Sequence, residues 1–158
     1  MTTGLAPTDL LLVRHLPATP DKVYRCWIEP DLIRRFFAPA PGRVPDAAVE
    51  PWPGGAFHVV MEFDEHGRME GPPGCVLIAD PGRRFAWTSA LGPMFRPLPG
   101  GELPFSADIT FAEKDGGCEY RVTLRHGDAQ TAQKHAEMGF ETGWGTVADQ
   151  LGAVAATL

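Results

Sequence analysis

Five histidines, three cysteines and a set of aromatic side chains are the residues of this 158-residue chain best equipped to do chemistry. His15, His58, His66, His126 and His135 show neither an HxH nor an HxxxH spacing, so no single strand or helical turn brings two of them together, and no metal site is expected. Cys26, Cys75 and Cys118 are far apart and in no metal-like spacing; Cys26 and Cys118 lack a base at motif spacing and read as small core residues rather than nucleophiles. His58 and Glu62 share one face of an alternating run and would form an acid–base pair if that face were internal. Phe57 and Met61 alternate against them, which sends His58 and Glu62 toward solvent. Asp108 and Thr110 alternate outward against Ile109 and Phe111 in the same way and read as solvated. Arg14 and His15 occupy opposite faces of the first strand, so one of them faces inward or lies near its edge. No nucleophile elbow, phosphate-binding glycine loop, HExxH or GxGxxG is present, and no cofactor is expected.

The remaining candidates belong to faces that read as internal. Phe57 and Met61 share one strand face, Trp87 lies on a second strand, and Phe111 and Tyr120 lie on the inner faces of a hairpin. His126 follows Tyr120, Val122 and Leu124 at that strand's end, where it would border a cavity mouth; Trp144 lies on the last helix. Apolar and aromatic walls with a few polar groups are what small-molecule sites are made of, and cores as well.

Composition narrows the partners. The hydrophobic content of 44% and charged content of 22% are those of a globular chain, and 158 residues fit a single domain spanning 1–158. With a net charge of −6 and only Arg34-Arg35 and Arg83-Arg84 as adjacent basic pairs, nucleic acid is not an expected partner. "MTTGLAPTDLLLVRHL" has no basic leader and too short an apolar run for a signal or membrane span, so stable membrane insertion is not expected. Widely spaced, odd cysteines fit a reducing cytoplasm. Most of the 16 prolines fall between Pro39 and Pro53, at Pro72-Pro73, and between Leu91 and Pro104, stretches that read as loops.

The elements that must position these groups follow from periodicity. "DLLLVRHL" (Asp9–Leu16) is a strand. Thr19, Pro20 and Asp21 then open a helix as N-cap, first position and first-turn acid, and Pro30 divides it from a second short helix ended by Pro39. From Arg43 to Gly127 the period is two, with six or seven mostly antiparallel strands; Asp80-Pro81-Gly82 and "KDGG" mark turns. From Asp128 the chain reads as helix, with Phe140, Trp144, Val147, Leu151, Val154 and Leu158 in one apolar stripe. Strands and helices segregated in this way give an α+β fold. The stripe has small shoulders: Gly145, Ala148, Gly152 and Ala155 on one flank, Gly139 and Gly143 on the other. Either the helix settles closely into a curved sheet, or the missing side chains leave a cavity; both readings stay open.

Four segments carry a resemblance: "LPATPDKVYRCWIEPDLIRRFFAP" (Leu16–Pro39), "PGGAFHVVM" (Pro53–Met61), "GCVLIADPGRRFAWT" (Gly74–Thr88) and "GFETGWGTVADQL" (Gly139–Leu151). In order and in spread they resemble the activator of heat-shock-protein-90 ATPase homologue-like family, within the START-like, polyketide-cyclase and birch-pollen-allergen-like superfamily. The resemblance implies a helix-grip fold: a curved six- to seven-stranded antiparallel sheet wrapped around a long C-terminal helix, with two short helices after the first strand. It implies a small hydrophobic ligand held between sheet and helix, with Phe57, Met61, Trp87, Phe111, Tyr120, His126 and Trp144 as lining residues and no catalytic group assigned. A chaperone-associated interaction protein and a cyclase- or hydrolase-like enzyme are the alternatives it brings with it.

Overall fold

A computed structural model describes residues 6–101 and 103–158. The element order is β1 (Asp9–Leu16), α1 (Pro20–Ile28), α2 (Pro30–Ile33), β2 (Arg43–Val49), β3 (Ala56–Phe63), β4 (Gly67–Met69), β5 (Gly74–Asp80) and β6 (Arg84–Thr88). A short hairpin follows, β7 (Leu91–Gly92) and β8 (Arg96–Pro97) around a 3₁₀ turn, then β9 (Phe105–Lys114), β10 (Gly117–His126), α3 (Ala129–Glu137) and α4 (Phe140–Ala155). Seven strands form one antiparallel sheet in the order β1-β10-β9-β6-β5-β3-β2, with β4 paired to the far end of β3. The sheet curls into a half-barrel around the C-terminal helix, the α+β helix-grip architecture.

Local chemistry explains most boundaries. Thr19 caps α1 through its backbone, with extended φ and ψ of −69° and 154° and Pro20 at the first helical position. Asp115 and Gly116, at φ 49° and 76°, put both central residues of the β9–β10 turn in the left-handed region. That twist suits a two-residue hairpin, and it sets the register Tyr120↔Phe111 and His126↔Phe105. In the Gly54-Gly55 pair, a Cβ on Gly55 would sit 2.2 Å from the Glu50 carbonyl oxygen, so the turn into β3 has room for no side chain there.

Two sequence expectations require correction. The proline-rich stretch from Pro39 to Pro53 is not all loop, because Arg43–Val49 forms β2. Pro45 is accommodated since β2 is an edge strand whose register shifts between Arg43 and Asp46, where no ladder donor is needed. The helical run from Asp128 is two helices, not one. Asp128 accepts a hydrogen bond from the Thr131 amide at 2.7 Å to start α3. Gly139, at φ +96°, turns the chain left-handed and starts α4 in a new direction.

The core lies in the concave face. Trp27, Ile33, Phe85, Ile109, Tyr120, Val122, Leu124 and Leu151 are fully buried there. On α4, Gly152 and Gly145 abut β1: a Cβ on Gly152 would lie 3.2 Å from Pro17 Cδ and 3.3 Å from Leu16 Cδ2, and one on Gly145 would lie 3.1 Å from the Arg14 guanidinium. On this flank the small shoulders allow close packing. Arg14 is thereby the member of the Arg14–His15 pair that faces the helix, whereas His15 is exposed and bonds the Lys114 carbonyl at 2.9 Å.

Candidate functional site

α4 leans on α1 and β1, at one side of the sheet. On the other side β3 pairs with β5 only at Ala56–Cys75 and Phe57–Gly74, and its outer half, Val59–Phe63, runs on with β2 and β4 as neighbours. The helix and this wing stand apart, and between them lies an apolar cavity of about 800 Å³. The volume falls within the range of small-molecule sites. Gly139 and Gly143 border it, and a Cβ on either would meet nothing within 4 Å. The two flanks of α4 therefore realise both readings of its small shoulders, close packing on β1 and open space toward β3.

Aromatic side chains hold the walls in place. Phe57 stacks on Trp87 at 4.3 Å and 16°, and Trp87 meets Phe105 edge-on at 5.4 Å. Trp144 lies across from them, 6.5 Å from Phe105, and stacks on buried Trp27 at 6.5 Å and 17°. Phe37, from the end of the helical pair, closes the floor 6.1 Å from Phe57. Met61, Phe63 and Met69 of the wing face Met138 and Phe140 of the helical side, and Asp64, Glu65 and His66 supply polar groups.

One buried polar pair reaches this wall. His126, at the end of β10, bonds through Nδ1 to the Thr8 carbonyl at 2.9 Å and through Nε2 to His135 Nδ1 at 2.9 Å. His135 is on the inward face of α3 with Ala132, is 8% exposed, and borders the cavity against Phe105 and Phe140, whose ring centroids are 5.1 and 6.0 Å away. Burial and the neighbouring His126 push its pKa down to about 4.

The candidates read from the sequence fall into two groups. Phe57, Met61, Trp87 and Trp144 border the cavity. Phe111, Tyr120 and His126 do not, although the alternation that placed them on the inner face is correct. Phe111 and Tyr120 are cross-strand partners at the other end of the concave face, where α1 fills the space: Tyr24 packs edge-on against Phe111 at 5.8 Å. Tyr120 is fully buried, and burial raises its pKa, which keeps the phenol protonated. His126 sits behind the wall, bonded to His135 at 2.9 Å and packed against Phe105 with ring centroids 6.2 Å apart.

Phe37, Phe105, Phe140 and His135 join the wall as well; Phe140 was legible as part of the apolar helix stripe, but none of the four is among the lining residues expected from the sequence. His135 was legible only as an i, i+3 partner of Ala132 on a short helix whose separateness the sequence concealed.

His58 and Glu62 do not pair. His58 bonds the Gly71 carbonyl at 3.1 Å, and Glu62 bonds Arg43. Asp108, read as solvated, is held on the outer face between Arg84 (2.8 Å) and Arg125 (2.6 Å), which lower its pKa and leave it 9% exposed. The three cysteines are buried free thiols; burial raises the pKa of Cys26 and of Cys118 to about 11, the reverse of what a nucleophile needs. Among the described residues no group of three His, Cys, Asp or Glu is arranged to hold a metal ion, and no helix is long and apolar enough to cross a membrane.

Residues 17–156 match the family described as activator of Hsp90 ATPase homolog 1-like protein. Among solved structures, a protein from Nitrosomonas europaea is 33% identical, with 97% of each chain covered and a TM-score of 0.91. A protein from Rhodobacter sphaeroides is 21% identical (97% and 95% covered, TM-score 0.81), and an AHSA1-like protein from Aeromonas hydrophila is 17% identical (94% and 92% covered, TM-score 0.70). The last two show likeness of fold. A search of the curated proteins gave no significant match.

Proposed function

The chain belongs to the activator of Hsp90 ATPase homolog 1-like family, and we propose that it acts as a binding module for a small hydrophobic molecule held between α4 and the β3 wing. The observation that carries this reading is the cavity of about 800 Å³ walled by Phe57, Trp87, Phe105 and Trp144. Filling such a space with side chains would bury apolar surface worth about 25 cal/mol per Å². The chain instead leaves Gly139 and Gly143 at its edge and spreads Phe57, Met61 and Phe63 along its wall. Buried free thiols support action in a reducing cytoplasm.

Native mass spectrometry of freshly purified protein is the direct test. A retained lipophilic mass, released by organic denaturation, is expected. A bare chain that also fails to enhance the fluorescence of N-phenyl-1-naphthylamine would overturn the reading.

One observation favours a second reading, an interaction protein associated with a chaperone. Trp52, Met94 and Phe95 are 55%, 78% and 47% exposed, and Phe95 packs over Gly54, bringing the tip of the β7–β8 hairpin beside the turn that follows Trp52. Titration of an Hsp90 ATPase assay with this chain and with its Trp52→Ser/Phe95→Ser variant separates the two. Stimulation lost in the variant supports the second reading; no stimulation excludes it.

A further inference from the structure

We propose that the His135–His126 pair is the polar anchor of the cavity, and that the occupant is a hydrophobic molecule bearing a hydroxyl group, an alcohol or phenol, whose proton is donated to Nε2 of His135. This rests on the cavity being a ligand site and assigns the class of ligand.

The protonation pattern follows from the partners. The Thr8 carbonyl can only accept, so Nδ1 of His126 carries a proton. In a neutral imidazole the other nitrogen is then bare, so Nε2 of His126 accepts. The proton in the 2.9 Å bond between the two rings must therefore come from Nδ1 of His135. Neutral His135 consequently has a bare Nε2, and that nitrogen has no hydrogen-bond partner among the described residues, on a side chain that borders the cavity. One backbone carbonyl thus fixes the tautomer of two rings and leaves an acceptor beside the aromatic side chains of Phe105 and Phe140. Phe105 and Phe140 pack against the His135 ring and Trp144 packs against both of them, so a hydroxyl reaching that nitrogen leaves the rest of its molecule against aromatic side chains.

Two observations favour a hydroxyl over a carboxylate. An anion at Nε2 would require the pair to take up a proton, creating an imidazolium in a site where His126 and His135 are each 8% exposed. Asp64 and Glu65 also border the cavity, together with the imidazoles of His58 and His66, and the two carboxylates oppose an entering anion. The depressed pKa of His135 agrees with a neutral ring.

The test uses three naphthalenes of one shape, 2-naphthol, 2-methoxynaphthalene and 2-naphthoate, titrated calorimetrically into the full chain at pH 7. A hydrogen bond to a buried acceptor is worth about 1.4 kcal/mol, a factor of about ten. 2-Naphthol is expected to bind about tenfold more tightly than its methyl ether, with 2-naphthoate weakest. In His135→Phe the ratio of naphthol to ether should fall to about one while ether affinity stays within about twofold.

The wild-type protein supplies a second readout that needs no variant. In ¹⁵N-detected NMR, His135 should show an unprotonated Nε2 and a protonated Nδ1, and 2-naphthol should move the Nε2 resonance. Equal binding of naphthol and ether to the wild type overturns the anchor and leaves the apolar site standing. Tightest binding of 2-naphthoate, or a protonated Nε2, overturns the assigned ligand class. Failure of all three to bind overturns the cavity reading and this inference with it.

Discussion

Substituting the glycines of "MGFETGWGTV" and the helix it begins one at a time should give effects of opposite sign, because each glycine meets a different neighbour. At Gly143 the new methyl group enters open space beside the cavity, so Gly143→Ala contributes only the helix gain of about 0.5–1 kcal/mol. For a chain of 158 residues that is a rise in Tm of about 1–4 °C. At Gly152 the same methyl lies 3.2 and 3.3 Å from Pro17 and Leu16, closer than relaxed packing permits. The helix gain is there offset by crowding of about 1 kcal/mol or more, and the net change should be neutral to destabilising. At Gly139, with φ +96°, a β-carbon costs about 1–2 kcal/mol whatever the space around it. Gly143→Leu extends the series: it should keep the added stability yet reduce binding of a naphthalene probe about tenfold or more, since its side chain occupies the ligand's volume. Urea unfolding with calorimetric titration measures both. A stabilised Gly152→Ala beside a destabilised Gly143→Ala would refute the argument that α4 packs on β1 and stands off from β3.

Further outcomes follow from the same geometry. Phe111→Ala should cost about 3–5 kcal/mol in urea unfolding without weakening probe binding, because Phe111 is 4% exposed in the packed half of the concave face. Met61→Ala, on the cavity wall, should cost far less stability and alter affinity instead. The folded-state pKa of His135 is about 4 against an ordinary value of 6.5, so the unfolded chain binds a proton the native chain refuses. Stability is then complete above about pH 6.5 and falls by roughly 2–3 kcal/mol as pH drops toward 4, and His135→Phe should flatten this slope in unfolding curves taken from pH 4.5 to 7. Asp108, whose pKa is lowered by Arg84 and Arg125, contributes stability above the unfolded carboxylate value that is lost as pH falls below it. Asp108→Asn should remove about 1–2 kcal/mol at pH 7 and the most acidic part of the pH dependence.

Alternation and turn chemistry carried the fold a long way. The two-residue period placed Phe57, Trp87, Phe111 and Tyr120 on the inner face, and "KDGG" set a hairpin whose register pairs Tyr120 with Phe111. What alternation cannot express is position along the curl. A strand pattern reads the same whether the face it builds is covered by α1, as at Phe111, or left open, as at Met61. Local signals misled where a neighbour overrode them. Pro45 is tolerated because β2 has a free edge, and Asp108 is drawn out of solvent by arginines 24 residues before it and 17 after. His135 escaped notice because its partner comes from a strand end and its significance depends on the carbonyl of Thr8, 118 residues before His126 in the chain.

The C-terminal helix shows why fold was more legible than site. Its stripe of Phe140, Trp144, Val147 and Leu151 is a local pattern that any helix facing a core must display, and it was readable at once. Its shoulders are also local, yet their meaning is not. Gly152 and Gly143 are the same residue in the same helix, and only the distance to the nearest foreign atom distinguishes a contact from a vacancy. That distance is fixed by where β1 and β3 stand relative to α4, which depends on α1 bracing the helix from one side and on β3 losing its partner β5 after Phe57. The cavity is thus a property of how the sheet's two wings are supported, and its lining could be assigned only once that support was known.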